Sequence, residues 1–236
     1  MDPSILSLCS DIRIECMHLG SEEEPALLVD SFIDGAQELK DYSASNNNFP
    51  IVENYYPGIR MAVPLLYSVA LAKNLSPFIE GHFGCALSKI KRATSRFSIV
   101  TTQPDELSLL QRIPHIDAPS RNNLAVVHYF ADVADSGTSL YRHRESAFEY
   151  IDEARYEPYI AQIKNQFPNP DVYPRGYIYE DTPEFEVIAS FEAKFNRIIM
   201  YRGSSLHSGI IRPSYNFDPH PATGRLTITT FIEFND

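Results

Sequence analysis

Residues 114–117 read Pro-His-Ile-Asp, and two later stretches, Leu206-His207-Ser208 and Gly224-Arg225-Leu226, join them as the side chains of this chain best suited to chemistry. A His and an Asp two apart on a strand point the same way, because side chains alternate with period two. Two imidazoles and one carboxylate on one face of a barrel form a facial triad, the usual seat of mononuclear non-haem Fe(II) with positions left open for oxygen chemistry. One Arg further on, at the head of the last apolar strand, can hold a carboxylate by a two-pronged contact. His115, Asp117, His207 and Arg225 together point to an iron-dependent oxygenase with a small keto acid as co-substrate.

Each of these residues also has a plainer reading. His-x-Asp is a short pattern, and alone it describes a turn after Pro114 with Asp117 as a cap. Its place just ahead of a strongly apolar stretch, with Pro114 and Pro119 fixing the local path, favours a ligand pair. A third ligand must then come from a later strand, and the candidates are His128, His143, His207 and His220. His128 lies inside an apolar strand and suits a hydrogen-bonded core position, while His220 sits in a Pro-rich loop. His207 follows the apolar run 198–201 and an Arg-Gly-Ser-Ser turn, and Ser208-Gly209 leaves room beside it for a ligand. Arg225 has the parity of Thr227, Thr229 and Phe231, and an inward Arg is costly unless an anion meets it. Arg212, five residues after His207, is its rival as an anchor. Arg142, His143 and Arg144 are candidate contacts for an anionic substrate or the co-substrate, or else mark a solvated edge strand that uses charge to prevent pairing.

The elements that must position these groups follow from periodicity. Residues 25–30 read as a short strand, residues 30–41 as a helix with one apolar face, and 42–50 as a loop. Residues 63–79 have helical spacing through Leu66, Val69, Leu71 and Ala72, which predicts one buried helix. Strands follow at 95–102, 124–130, 138–141, 185–193, 196–201 and 226–234, interrupted by a helical insertion at about 146–166. A helical and strand flank over 1–94, then short strands over 95–236, predicts a single mostly β domain with flanking helices. Its expected closure is a double-stranded β-helix, the jelly-roll or cupin-like barrel.

Composition narrows the partners. With 236 residues the chain is long enough for one sizeable core, and its formal net charge of -11 leaves no positive face for phosphates. Nucleic acid and anionic membrane are therefore not expected partners, and a small-molecule substrate is; the oligomeric state stays open. Cys9, Cys16 and Cys85 are odd in number and lack metal-ligand spacing, which predicts free thiols in a reducing compartment. No charged-then-apolar leader or membrane-length apolar run is seen, so the expected location is cytoplasmic.

The order Pro-His-Ile-Asp, an apolar strand with Tyr129, Asp-Ser-Gly-Thr-Ser-Leu-Tyr, Ser-Leu-His-Ser-Gly and Gly-Arg-Leu-Thr-Ile resembles the Fe(II)/2-oxoglutarate-dependent dioxygenase superfamily. Over residues 95–236 it looks most like the prolyl-hydroxylase-like branch and a small group of bacterial proteins with a Gly-Thr-x-x-Tyr-Arg-His-Arg stretch. The resemblance implies iron ligands at His115, Asp117 and His207. It implies Fe(II) as metal and 2-oxoglutarate as co-substrate, its distal carboxylate on Arg225 with help from Tyr129. It also implies hydroxylation or a related oxidation of a small or amino-acid-like molecule rather than halogenation, since halogenating relatives replace the carboxylate ligand by a small residue. Ser136-Gly137 stands where the family has paired Gly, and the His207-to-Arg225 interval is longer than in many members. The competing reading is a cupin-like metal-binding barrel, an isomerase, epimerase or non-catalytic binding protein, that does not use 2-oxoglutarate and has no need of Arg225.

Overall fold

The computed structural model describes residues 2–50, 55–131, 136–169, 173 and 175–235. In chain order its elements are β1 (Arg13–Leu19), β2 (Glu24–Asp30), α1 (Ala36–Ser45), β3 (Gly58–Ala62), α2 (Leu65–Asn74), α3 (Ser76–Gly81), β4 (Ile90–Val100) and α4 (Leu109–Arg112). There follow β5 (Asn123–Tyr129), β6 (Ser136–His143), α5 (Glu153–Gln166), β7 (Phe185–Glu192), β8 (Arg197–Arg202), β9 (His207–Ile211) and β10 (Leu226–Phe234). Seven strands form one antiparallel sheet in the order β1-β2-β8-β5-β10-β4-β3, and three form a second in the order β7-β6-β9.

The period-two pattern of the central strands explains the layering. On β10, Leu226, Ile228 and Ile232 face one side, and their partners Phe97, Leu124, Val126, Ile198 and Met200 share that face. It packs against Leu39 of α1, Tyr67 and Leu71 of α2 and Ile79 of α3. The opposite face carries Ala125, Tyr129, Ile199 and Tyr201, and meets Leu140 and Phe191 of the small sheet. Full burial of each large side chain is worth about 1.5–3 kcal/mol, so both faces contribute to holding the sheets together. The candidate site opens between the two sheets.

Several boundaries differ from the sequence expectation for identifiable reasons. The predicted helix over 63–79 is two helices, because Pro77 lies in the first turn of α3, where its missing N–H and fixed φ start a helix rather than continue one. Leu66 and Val69 are exposed on α2, whereas Leu71 and Ala72 are buried. The α1 helix begins at Ala36, not at residue 30, because Asp30 still pairs with Arg13 at the end of β2 and Phe32 and Ile33 turn into the core. The insertion becomes helical only at Glu153, where the Asp152 side chain accepts the Arg155 N–H at 3.0 Å as an N-cap. The N-terminal region does more than flank: β1, β2 and β3 are hydrogen-bonded into the seven-stranded sheet. Cys9, Cys16 and Cys85 are free thiols. Among the described residues, no helix is long and apolar enough to cross a membrane.

Candidate metal centre

His115 and Asp117 lie in the loop between α4 and β5, not on a strand, so strand alternation is not what aims them. The backbone does it instead. His115 and His207 form an isolated antiparallel bridge, each N–H donating to the other's carbonyl at 2.9 Å. The Asp117 N–H donates to the Gly203 carbonyl at 2.8 Å. The loop is thereby clamped to the turn that feeds β9. The His115 and His207 ring centroids stand 4.4 Å apart.

The ligand-capable atoms of His115, Asp117 and His207 lie within 4.8 Å of one another, with His207 Nε2 3.5 Å from Asp117 Oδ2. The His207 Nδ1 is 2.9 Å from the Ser205 carbonyl. A carbonyl only accepts, so Nδ1 carries the proton and Nε2 presents its lone pair to the centre. Donors around one ion at about 2.1 Å stand about 3 Å apart, so small side-chain rotations close the set on a metal. Two imidazole nitrogens and one carboxylate oxygen fit a divalent first-row ion that keeps open positions.

Their electrostatics agree with that fit. His115 and Asp117 are exposed to the cavity, but the protein packed around it shields them from bulk water. This desolvation pushes His115 down to about 4, reinforced by His207 and opposed by Asp117 and the Ile113 carbonyl. Burial likewise takes His207 down to about 4, against the pull of the Ser205 carbonyl. Asp117 is pushed up to about 6 by desolvation, opposed by His115 and Arg60. Near pH 7.5 both imidazoles are neutral and the carboxylate is ionised, which is the ligating state.

The three residues line a cavity of about 630 Å³ that also takes in Arg60, Thr138, Gly209 and Arg225. Arg225 is 5% exposed. Its Nε donates to Ser136 Oγ at 2.5 Å and its Nη2 to the Gly137 carbonyl at 2.7 Å. Among the described residues no carboxylate forms an ion pair with it. Tyr129 stands behind this cation, its ring 5.6 Å from the guanidinium carbon and its hydroxyl 2.6 Å from Thr138 Oγ1. Gly209 lies two residues after His207, and a Cβ placed there would be 3.8 Å from Arg225 Nη2. Arg212 packs over the Tyr179 ring and borders a neighbouring cavity of about 670 Å³.

The structure does not bring Arg142, His143 or Arg144 to the centre. Arg142 is paired with Glu149 and Glu186, Arg144 with Asp181, and His143 is buried between Ser146 and Gln166 at 2.8 Å each. Ser146 and Glu149 are near in sequence and Gln166, Asp181 and Glu186 remote, and together they account for the cluster read as a substrate contact by the scaffold. His128 bonds Tyr67 and Asn196 in the core, and His220 is exposed in its loop. Arg60 on β3 is the functional candidate that the sequence reading missed. A lone Arg in Gly-Ile-Arg-Met-Ala carries no motif, and only pairing of β3 with β4 brings it to the cavity.

Several solved structures are similar to this chain. The non-heme alpha ketoglutarate dependent epimerase SnoN from nogalamycin biosynthesis matches with a TM-score of 0.50 and 11% identity over 90% of this chain and 79% of that one. The non-heme alpha ketoglutarate dependent carbocyclase SnoK of the same biosynthesis matches at 0.49 and 12%, covering 91% and 81%. An N-substituted L-amino acid dioxygenase from Burkholderia ambifaria AMMD matches at 0.41 and 12%, covering 95% and 96%. No curated protein matches the chain in sequence. One family model does, over residues 10–232, nearly the whole length, and the chain accordingly belongs to the family of unknown function DUF6445.

Proposed function

We propose that this protein is a non-haem Fe(II)/2-oxoglutarate-dependent oxygenase that hydroxylates a small molecule, with its two sheets closed as a double-stranded β-helix. One observation carries the reading: a two-His, one-carboxylate donor set and a buried Arg without a carboxylate partner among the described residues line the same cavity. The sequence resemblance of residues 95–236 to the prolyl-hydroxylase-like branch supports it, as does the fold shared with SnoN.

His115, Asp117 and His207 would hold the metal, which when bound supplies the activation of dioxygen. Arg225 would take the distal carboxylate of 2-oxoglutarate. Its Nε and one Nη are spent on Ser136 and Gly137, which fixes the plane of the guanidinium and leaves its other edge for an anion. Tyr129 holds Thr138 and backs the cation, acting by positioning. Gly209 keeps the path between His207 and Arg225 clear. Asp117 occupies a ligand position, which favours hydroxylation over halide transfer. A cupin-like barrel without a keto acid would leave the buried charge of Arg225 uncompensated, and burial of an unpaired cation is costly.

Anaerobic titration with Fe(II) and then 2-oxoglutarate tests the reading. The expected result is a visible charge-transfer band that needs both additions and saturates at one equivalent of each. Iron binding without any band or affinity change on adding 2-oxoglutarate would transfer the protein to the cupin-like class.

A further inference from the structure

The cavity wall carries a charge that the proposed co-substrate does not neutralise. Among the described lining residues the formally charged side chains are Asp117, Arg60 and Arg225, two cations against one carboxylate. An imidazole that ligates a metal is neutral. A divalent metal and a dianionic keto acid cancel each other, so an excess of one positive charge remains when both are bound. If Arg225 faces the keto acid, that excess sits at Arg60.

Arg60 is placed to use it. Its guanidinium stacks on the Tyr56 ring, 4.3 Å from the centroid, which fixes its plane against the cavity wall. Its Nη2 reaches Thr229 Oγ1 at 3.5 Å, the outer limit of a hydrogen bond. Its Nε has no hydrogen-bond partner among the described residues. Other arginines of the fold are met by carboxylates, Arg121 by Glu24, Arg155 by Glu22 and Arg197 by Asp30. No described carboxylate forms an ion pair with Arg60, and Asp117 acts on it only across the cavity. A desolvated guanidinium with unspent donors is costly to keep unless a ligand anion completes it. Tyr55, Leu110, Tyr156 and Ile160 supply an apolar and aromatic part of the same cavity.

We infer that Arg60 is the substrate-recognition residue of this cavity, and that the substrate is an organic monoanion, an apolar or aromatic body bearing one carboxylate that Arg60 receives. The inference rests on the proposed function for the assignment of Arg225 to the keto acid. A carboxylate, not a phosphate dianion, matches a single excess charge and a single guanidinium.

Calorimetric titration of the full chain, without turnover, tests it with two kinds of probe: 3-phenylpropionate paired with 3-phenylpropionamide, and 2-oxoglutarate. The unsubstituted protein should bind the acid about tenfold or more tightly than the amide, the scale of one charge-assisted contact. Arg60→Gln should erase that preference and leave 2-oxoglutarate within about twofold, Arg225→Gln should do the converse, and Arg60→Lys, which restores the charge, should recover much of the preference. Thermal melts of each variant verify folding. Equal affinity for acid and amide in the unsubstituted protein, or loss of 2-oxoglutarate affinity in Arg60→Gln as large as in Arg225→Gln, overturns the inference. A protein that shows the Arg60-dependent acid preference but no 2-oxoglutarate binding upholds this role of Arg60 and refutes the proposed co-substrate instead.

Discussion

Asp117 should be a liability to the metal-free protein. Among the described residues its carboxylate accepts no hydrogen bond, the neutral His207 Nε2 stands 3.5 Å away, and desolvation pushes its pKa up to about 6 from 3.8 against the pull of His115 and Arg60. Because the folded pKa is raised, the penalty is absent below the unfolded value, grows as pH rises between the two, and is complete above the folded value. A shift of about two units corresponds to about 3 kcal/mol. Asp117 opens onto cavity water, so solvent screening takes a large part of that, and about 1–1.5 kcal/mol is the expected remainder at pH 7.5.

Asp117→Asn is nearly isosteric and keeps the backbone bond to Gly203, so it removes the charge alone. In the presence of a chelator at pH 7.5 the variant should be more stable than the unsubstituted protein by about 1–1.5 kcal/mol, or about 2–5 °C for a domain of this size. Urea denaturation at pH 7.5 and at pH 4.5 should show the advantage shrinking in acid. Added divalent metal should reverse the order, because a ligand at a hundred times its Kd stabilises by about 2.7 kcal/mol, and the neutral amide oxygen of Asn is a much weaker donor than the carboxylate it replaces. If Asp117→Asn is the less stable form in chelator at pH 7.5, with no change of sign on adding metal, then Asp117 is a structural residue and not a poised ligand.

Three further outcomes are expected. Arg225→Gln should weaken 2-oxoglutarate binding about tenfold or more, while Arg212→Gln should leave it within about twofold, as read by calorimetry; the reverse ranking would move the anchor to the neighbouring cavity. Gly209→Val adds a Cβ at ordinary contact distance and branches that enter the gap before Arg225; iron affinity should persist while 2-oxoglutarate affinity falls about tenfold or more, and unchanged co-substrate affinity would refute the path drawn between them. Glu149→Gln should destabilise by about 1.5–3 kcal/mol at pH 7 without altering iron affinity. Burial alone would raise the Glu149 pKa, but hydrogen bonds from the Glu22 and Ser21 N–H groups and from Arg142 outweigh it and hold it below its ordinary value. Its contribution is therefore present above the unfolded pKa and lost as pH falls through the folded one, so the difference between the two proteins should vanish in acid.

What could be read from the sequence divides along physical lines. Strands at 185–192, 197–202 and 226–234 were legible because β-branched and aromatic residues run through them between turn signals. The strand β1, Arg-Ile-Glu-Cys-Met-His-Leu, was not, because it is an edge strand with mostly exposed or half-buried residues and so lacks a hydrophobic pattern. The break between α2 and α3 was written in Ser76-Pro77 and was overridden by helical spacing on either side. Residue types singled out His115, Asp117, His207 and Arg225, which the structure brings to one cavity, but not for the reason the spacing suggested. The two-residue spacing of His115 and Asp117 invoked a strand, whereas the structure aims them through backbone bonds to His207 and Gly203. Arg142 and Arg144 misled because their carboxylate partners lie in other stretches, including positions 149, 181 and 186. Local sequence shows a charge, but not what will cancel it.

That backbone clamp ties the geometry of the centre to one strand register. His115 follows His207 through two reciprocal hydrogen bonds, and His207 opens β9. Arg225 is fastened to Ser136 and Gly137, which open β6. The strands β6 and β9 pair with Ser136 opposite Ile211 and Gly137 opposite Ile210. The separation of the candidate metal donors from the Arg225 guanidinium is thus set by the β6–β9 register, and not by the 12 loop residues 213–224 that separate Ile211-Arg212 from Arg225 in sequence. A slip of one residue would turn His207 and Gly209 to the opposite face of the small sheet, so the register is held by the same alternation that buries Leu140. The long interval between His207 and Arg225 can then vary in length and composition without moving Arg225. Its Tyr215, which accepts the Arg225 N–H and donates to the Val100 carbonyl, pins the end of the loop where β10 is about to begin. A long interval is therefore compatible with an unchanged cavity, because the strands, rather than the connection, carry the distance.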